Sequence, residues 1–377
     1  MLKRLYVKNF TVFAEADFAF GPGLNVVVGT NGTGKSHVLK LGYAVLNCEE
    51  QRFQLIEKTY SASTDKPLTS QHEENDLDDK LLQLFRPSPF YGNELIRRGT
   101  EPPLATIGYQ MGSPEKAGLG FGKLDIRENG SMAMAVPLED LYTMAVTKQL
   151  VPPVLIPAKE ILTLGWMTQA SRQLKLPLDE SYLHLLTQLS GLPLRNPEPT
   201  VAAALLQLTA VLGGEVEENN GNFYLIFPKE KPLEMNMVAE GLRKFGTLQK
   251  LLANGSLTPQ TTLFWDEPEA NLNPALLRKL AAVLAEMARQ GFQIILATHS
   301  LFLLKELHIL SRLKGAEKLP MRYFGLNAGP DGATTVNTVD DFEKLPDIVA
   351  LDVEMEQADT LTLVFAQDDA DHHGEKR

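Results

Sequence analysis

A chain of 377 residues, 44% of them hydrophobic, is long enough to bury a core as one large domain or as one domain with an insertion, and nothing in its composition suggests a long disordered span. Its net charge of −11 speaks against a general nucleic-acid binder, which needs clustered lysine and arginine; Arg86, Arg97 and Arg98 are candidates for a local basic groove. The single cysteine, Cys48, excludes an internal disulfide, and neither a secretory h-region nor the ~18 consecutive apolar residues of a membrane helix is visible, so a soluble cytoplasmic protein is expected.

The first informative stretch is Leu24-Asn25-Val26-Val27-Val28, a short apolar run readable as a buried strand. It leads into Gly29-Thr30-Asn31-Gly32-Thr33-Gly34-Lys35-Ser36, which fits the phosphate-loop pattern G-x-x-x-x-G-K-[ST]. From His37 onward, Val38, Leu41 and Val45 fall on one helical face. Strand, glycine loop and helix is the order that phosphate binding requires. Gly32 and Gly34 let backbone N–H groups converge on phosphate oxygens, and the helix N-terminus adds partial positive charge. Lys35 would reach the β and γ phosphates and Ser36 would ligate Mg²⁺, with residues 29–37 as the nucleotide-binding set.

The chain then becomes less specific. Residues 49–100 are polar around a helical patch, DDKLLQLF, and residues 104–137 carry the glycines and short alternations of antiparallel strands. Residues 161–212 read as helices, the clearest lying between Pro199 and Gly213; His184 reads as a packed or partly exposed helical residue. GEVEENNGNFYLIFP reads as a hairpin turning at Asn220-Gly221.

At residues 263–274, LFWDEPEANLNP, an apolar strand runs into Asp266, Glu267 and Glu269. Clustered, desolvated carboxylates are costly unless a cation offsets them. Asp266 stands where a Mg²⁺-associated aspartate belongs, and Glu267 would orient or deprotonate the attacking water. Asn273 is a plausible N-cap and Pro274 a first helical residue, with Leu277, Leu280, Leu284 and Met287 at helical spacing. A second apolar run, Ile294–Ala297, ends in Thr298-His299-Ser300. Strand–helix–strand of this length is a βαβ unit, which brings both strand ends to one edge and makes His299 a γ-phosphate contact candidate.

GTNGTGKS, FWDEPEANLNP and ATHS, in that order, resemble the ABC-type ATPase fold in its SMC- and RecF-like branch. Closer still are standalone bacterial ATPases (AAA-15/AAA-21-like) often found in anti-phage defence operons. The resemblance covers residues 1–46 and about 236–310. It implies an α/β P-loop fold of ABC type, with a mixed or parallel sheet, an N-terminal antiparallel β subdomain and a helical insertion. It also implies ATP rather than GTP, and a homodimer or higher homo-oligomer in which a signature helix of a second subunit caps the γ phosphate. The matching positions are Ala239, Glu240, Gly241 and Arg243, followed by Lys244. Ala-Glu-Gly stands where Ser-Gly-Gly is usual, Thr11 where an arginine is common, and Lys159-Glu160 at the level of a usual glutamine, without an assigned role.

The domains expected are an ATPase core at 1–160 and 236–330, an inserted helical arm with a hairpin at 161–235, and a C-terminal hairpin, helix and acidic tail at 331–377. No sustained heptad is present, so the arm is compact rather than a coiled coil. Ile348, Leu351, Met355 and Ala358 fall at helical spacing as a docking or dimer contact, and QDDADHHGEKR reads as a solvated tail. The function expected is a Mg²⁺-dependent ATPase that dimerises around ATP and regulates a separately encoded effector, a nuclease or toxin, in anti-phage defence. The alternative is a RecF/SMC-like DNA-repair or DNA-binding ATPase; a transporter subunit and a non-hydrolysing sensor fit less well.

Overall fold

The computed structural model describes residues 1–62, 76–87, 92–112, 121–135, 151–167, 179–313 and 318–346, with isolated positions in 168–178 and 347–364. The chain runs β1 (Leu2–Phe10), β2 (Phe13–Ala19), β3 (Leu24–Gly29), α1 (Lys35–Ala62), α2 (Asp76–Phe85), β4 (Leu104–Met111), β5 (Phe121–Arg127), β6 (Met132–Ala135) and β7 (Val154–Ile156). It continues through α3 (Glu180–Leu189), α4 (Pro199–Leu212), β8 (Glu215–Asn219), β9 (Asn222–Ile226), β10 (Leu233–Glu234), α5 (Glu240–Ala253) and β11 (Thr262–Asp266). It then forms α6 (Pro274–Arg289), β12 (Gln293–Thr298), α7 (Leu301–Arg312), β13 (Met321–Ala328) and β14 (Thr334–Val339).

The central sheet has the order β14-β13-β3-β12-β11-β7. All its pairings are parallel except β13 with β14. Its strands β3, β7, β11 and β12 lack polar alternation because both faces are covered. Val26, Val28, Trp265, Ile294 and Leu296 face one core, whereas Val27, Phe264, Ile295 and Ala297 face the other. The first core lies under α3–α7, and the second under α1 and a five-stranded antiparallel sheet, β2-β1-β4-β5-β6. The N-terminal strand pair and the strands expected in 104–137 therefore belong to one sheet.

The α6 start follows its sequence signals. Asn273 accepts from Leu276 N at 2.9 Å, and Pro274 takes the first turn. α4 begins with a proline and ends at left-handed Gly213, whose N–H donates to Thr209 O at 2.8 Å. The β8–β9 hairpin turns through Asn220 and Gly221, both at positive φ, as a two-residue hairpin turn requires.

Residue 330 lies inside the β13–β14 hairpin, and β14 is the antiparallel edge of the central sheet. Of the groove candidates, Arg97 donates to Asp331 O at 3.1 Å and pairs with its carboxylate at 3.4 Å. Arg98 is exposed, and Arg86 sits at φ 48° just past α2. Ile348, Leu351, Met355, Ala358 and the 367–377 tail lie outside the described residues. Among the described residues no helix is long and apolar enough to cross a membrane.

Candidate functional site

Parallel pairing brings the ends of β3, β12 and β11 to one rim: Val28 aligns with Thr298, and Ala297 with Asp266. The loop after β3 turns through Gly32 (φ 83°) and Gly34 (φ 89°), a backbone region that side chains resist. A Cβ on Gly34 would lie 2.6 Å from Val12 Cγ2 and 2.8 Å from the Phe13 ring, so the loop packs directly on the β1–β2 turn. Thr33 closes the loop from inside, its hydroxyl donating to Thr30 O at 2.9 Å. Thr30, Asn31 and Gly32 are exposed, leaving the outer part of the loop accessible.

Lys35 opens α1. Its ammonium donates to Gly29 O and Thr30 O, both at 2.9 Å, and therefore lies across the loop itself. Burial lowers its pKa, while Glu267, Asp266 and Glu269 act to raise it. Ser36 reaches the acidic strand: its hydroxyl donates to Asp266 Oδ2 at 2.7 Å. Asp266 Oδ1 is buried without a hydrogen-bond partner. Burial raises the Asp266 pKa, Glu267 adds to the rise, and Ser36, Lys35 and Lys40 oppose it. A half-satisfied, desolvated carboxylate beside a serine hydroxyl fits a hard divalent cation, which takes oxygen ligands. Among the described residues no group of three or more His, Cys, Asp or Glu forms a metal cage.

Glu267 sits at φ 46°, a left-handed conformation that costs an ordinary residue roughly 1–2 kcal/mol. Its N–H donates to Ala297 O at 2.9 Å, and its carbonyl accepts from Lys244 Nζ at 2.9 Å. The conformation turns the Glu267 side chain toward His299, whose Nδ1 lies 3.4 Å from Glu267 Oε1 and 3.6 Å from Glu269 Oε1. Lys35, Ser36, Asp266, Glu267 and His299, scattered in sequence, therefore share one rim.

The signature positions lie at the N-terminus of α5. Ala239 is its N-cap and makes no side-chain cap bond. Asn271 Nδ2 donates to Glu240 Oε1 at 2.7 Å, and a Cβ on Gly241 would meet Asn271 O at 3.0 Å. This helix start is thus docked on the turn after β11. Arg243 is engaged within its own chain, donating to Val238 O at 2.8 Å and Asn236 O at 3.2 Å and pairing with Glu160 at 3.3 Å. Lys159 is exposed. His37, in α1, pairs with Thr11 Oγ1 at 2.9 Å, so the position where an arginine is common meets the phosphate-loop helix through a histidine.

Two residues with clear geometric roles, Glu160 and Glu269, carried no role from sequence, and a third, Lys244, was expected only to supply charge beside the signature positions. Glu160 accepts from Leu162 N and Thr163 Oγ1 and binds Arg243, joining the loop after β7 to α5. Lys244 grips the Glu267 and Pro268 carbonyls. Glu269 is buried against Thr298. In the sequence Glu269 stood out only as the odd member of a carboxylate cluster.

Residues 146–305, from ahead of β7 into α7, match the family model described as an AAA domain, putative AbiEii toxin, Type IV TA system. The match takes in the acidic strand, His299 and α5; the phosphate loop lies outside it. An SMC head bound to the C-winged helix domain of ScpA superposes with TM-score 0.54 at 13% identity, covering 91% of this chain and 98% of that one. An Smc head domain with an extended coiled coil, bound to the C-terminal domain of ScpA and derived from Pyrococcus furiosus, gives 0.53 at 11% identity, covering 96% and 99%. At such identities the likeness is one of fold. No curated protein matches.

Proposed function

We propose that this chain is a P-loop ATPase of the ABC type with an AAA domain of the AbiEii-toxin kind, that it hydrolyses ATP with Mg²⁺, dimerises around the nucleotide and regulates a separately encoded effector. The observation that carries this reading is the Ser36–Asp266 hydrogen bond of 2.7 Å, with Asp266 Oδ1 left without a partner. In this reading Lys35 leaves the Gly29 and Thr30 carbonyls to bind the β and γ phosphates, aided by the backbone N–H groups of residues 30–36 and the α1 N-terminus. Ser36 and Asp266 would hold the metal, which supplies charge neutralisation at the transferring phosphoryl group when bound. Glu267 orients the attacking water and takes its proton, and His299 contacts the γ phosphate.

Ala239, Glu240 and Gly241 would serve the nucleotide of a second copy. Arg243 supports that surface by fixing the start of α5 rather than by reaching out. The core comprises residues 1–160 and 236–339, and the arm 161–235 replaces a coiled coil. An effector fits the precedent of the SMC heads above, whose structures contain a domain of a separate protein. The family description, which names a putative toxin of a Type IV TA system, supports a place in a toxin–antitoxin system; within this reading the chain acts in anti-phage defence in the cytoplasm.

The test is Glu267→Gln. It should bind ATP with near-native affinity while turnover falls at least ~100-fold, since it removes the base and keeps the shape. Normal phosphate release by that variant would reject the assignment. A DNA-binding, SMC-like role is the second reading, favoured by the SMC-head fold. It requires ATP-dependent DNA binding with a steep salt dependence. The net charge of −11 weighs against it.

A further inference from the structure

Glu269 is more buried than the residues it serves: its side chain is 8% exposed, against 31% for Glu267 and 52% for His299. Its Oε1 accepts from Thr298 Oγ1 at 2.6 Å and from His299 N at 3.2 Å. Thr298 Oγ1 in turn accepts from Ser300 N at 3.0 Å, and Ser300 Oγ accepts from Leu303 N at 3.2 Å, capping α7. One carboxylate thus anchors the whole turn that presents His299.

A neutral amide would cap the same N–H and hydroxyl groups with less desolvation cost. Two features point to a use for the charge. Glu269 Oε2 is buried and has no hydrogen-bond partner. One nitrogen of the His299 imidazole, Nδ1, faces two carboxylates, 3.4 Å from Glu267 Oε1 and 3.6 Å from Glu269 Oε1, beyond ordinary hydrogen-bond length from either. An oxygen of Glu267 that accepts from His299 is an oxygen withdrawn from the water.

We propose that Glu269 is a positioning residue for His299, and that its carboxylate is the acceptor on which the imidazole Nδ1–H settles once ATP is bound. Glu267 is then left to the water, and Nε2 faces the γ phosphate. Thr298 and the His299 backbone hold the carboxylate in place for this. The inference rests on the assignment of His299 to the γ phosphate given above.

The experiment compares ATP affinity and steady-state hydrolysis for wild type, E269Q, E269D, H299A and the E269Q/H299A double variant, with melting curves for each. The imidazole ¹⁵N resonances of His299 are recorded with a non-hydrolysable ATP analogue. Loss of one charge-assisted bond predicts kcat for E269Q down at least ~10-fold, with ATP affinity within about twofold of wild type. E269D recovers part of the rate, the double variant is no slower than H299A, and the Nδ1 resonance shifts on analogue binding in wild type but not in E269Q. Wild-type kcat in E269Q, or slowing in the double variant that multiplies the two single effects, overturns the proposal. If E269Q does not fold, E269D and the ¹⁵N shift decide alone: an unchanged rate and an unshifted resonance overturn it. Wild-type hydrolysis by H299A rejects the underlying γ-phosphate assignment instead, which separates the two failures.

Discussion

Ser36 and Asp266, 230 positions apart in sequence, meet in a 2.7 Å hydrogen bond from hydroxyl to carboxylate. The bond closes the rim where β3 delivers the phosphate loop and β11 delivers the acidic turn. It also leaves Asp266 half satisfied, since Oδ1 is buried without a partner.

That imbalance gives the first prediction. Burial raises the Asp266 pKa, so the folded chain holds this proton more tightly than the unfolded chain does. Asp266 therefore lowers stability as pH rises from its unfolded value through its folded one, the reverse of a salt-bridged carboxylate. Asp266→Asn should raise the apo melting temperature at neutral pH by about 2 °C while abolishing the metal dependence of nucleotide binding. Calorimetric melting with and without Mg²⁺·ATP checks both halves.

His37 predicts the acid side of the stability curve. Burial, helped by Lys40, lowers its pKa to about 4, so the folded chain keeps it neutral where the unfolded chain would charge it. Stability from this group is whole above the ordinary histidine pKa and drains as pH falls toward 4. The loss at pH 5 is about 2 kcal/mol. His37→Gln keeps a partner for Thr11 and should flatten the decline in unfolding free energy between pH 7 and pH 5 by that amount, read by denaturant titration; an unchanged slope would contradict the assignment.

Two glycines of one loop should behave differently. At Gly34 an added Cβ meets both positive φ and a 2.6 Å contact with Val12, whereas at Gly32 it meets positive φ and open space. Gly34→Ala should cost the fold about 3 kcal/mol or more, from overpacking and strain together, and Gly32→Ala about 1 kcal/mol. Urea denaturation of the apo variants gives the order directly.

Much of this was legible in the sequence because local rules and tertiary structure agree. The buried strands announce themselves as Val26-Val27-Val28, Leu263-Phe264-Trp265 and Ile294-Ile295-Leu296, and the loop and turn residues punctuate them. Parallel pairing then placed Asp266 and His299 together with no further information. What stayed hidden were side chains whose role is set by burial. Lys244 resembles any helical lysine until its ammonium is seen on the Glu267 and Pro268 carbonyls, and Glu160 any loop acid until it meets Arg243. The edge strand β14 was hidden as well, because its exposed threonines read as polar surface although the strand completes the central sheet.

The Glu160–Arg243 pair offers a test of that hidden layer. Glu160 is 6% exposed and Arg243 17%, so either partner alone is left with an uncompensated, largely buried charge. Each single alanine variant should lose about 2–4 kcal/mol, and the double variant clearly less than the sum. A double-mutant cycle by denaturant titration reads the coupling.

The central claim, that remote segments form one grip for a metal-bound triphosphate, is tested most directly by calorimetric titration of ATP in Mg²⁺ and in EDTA. The measurement uses the wild type, Lys35→Ala and Asp266→Asn. The account predicts one site per chain in the wild type, weakened at least ~100-fold in Lys35→Ala, and an affinity in Asp266→Asn that no longer changes when Mg²⁺ is removed. Wild-type affinity in Lys35→Ala, or an intact Mg²⁺ effect in Asp266→Asn, would contradict it.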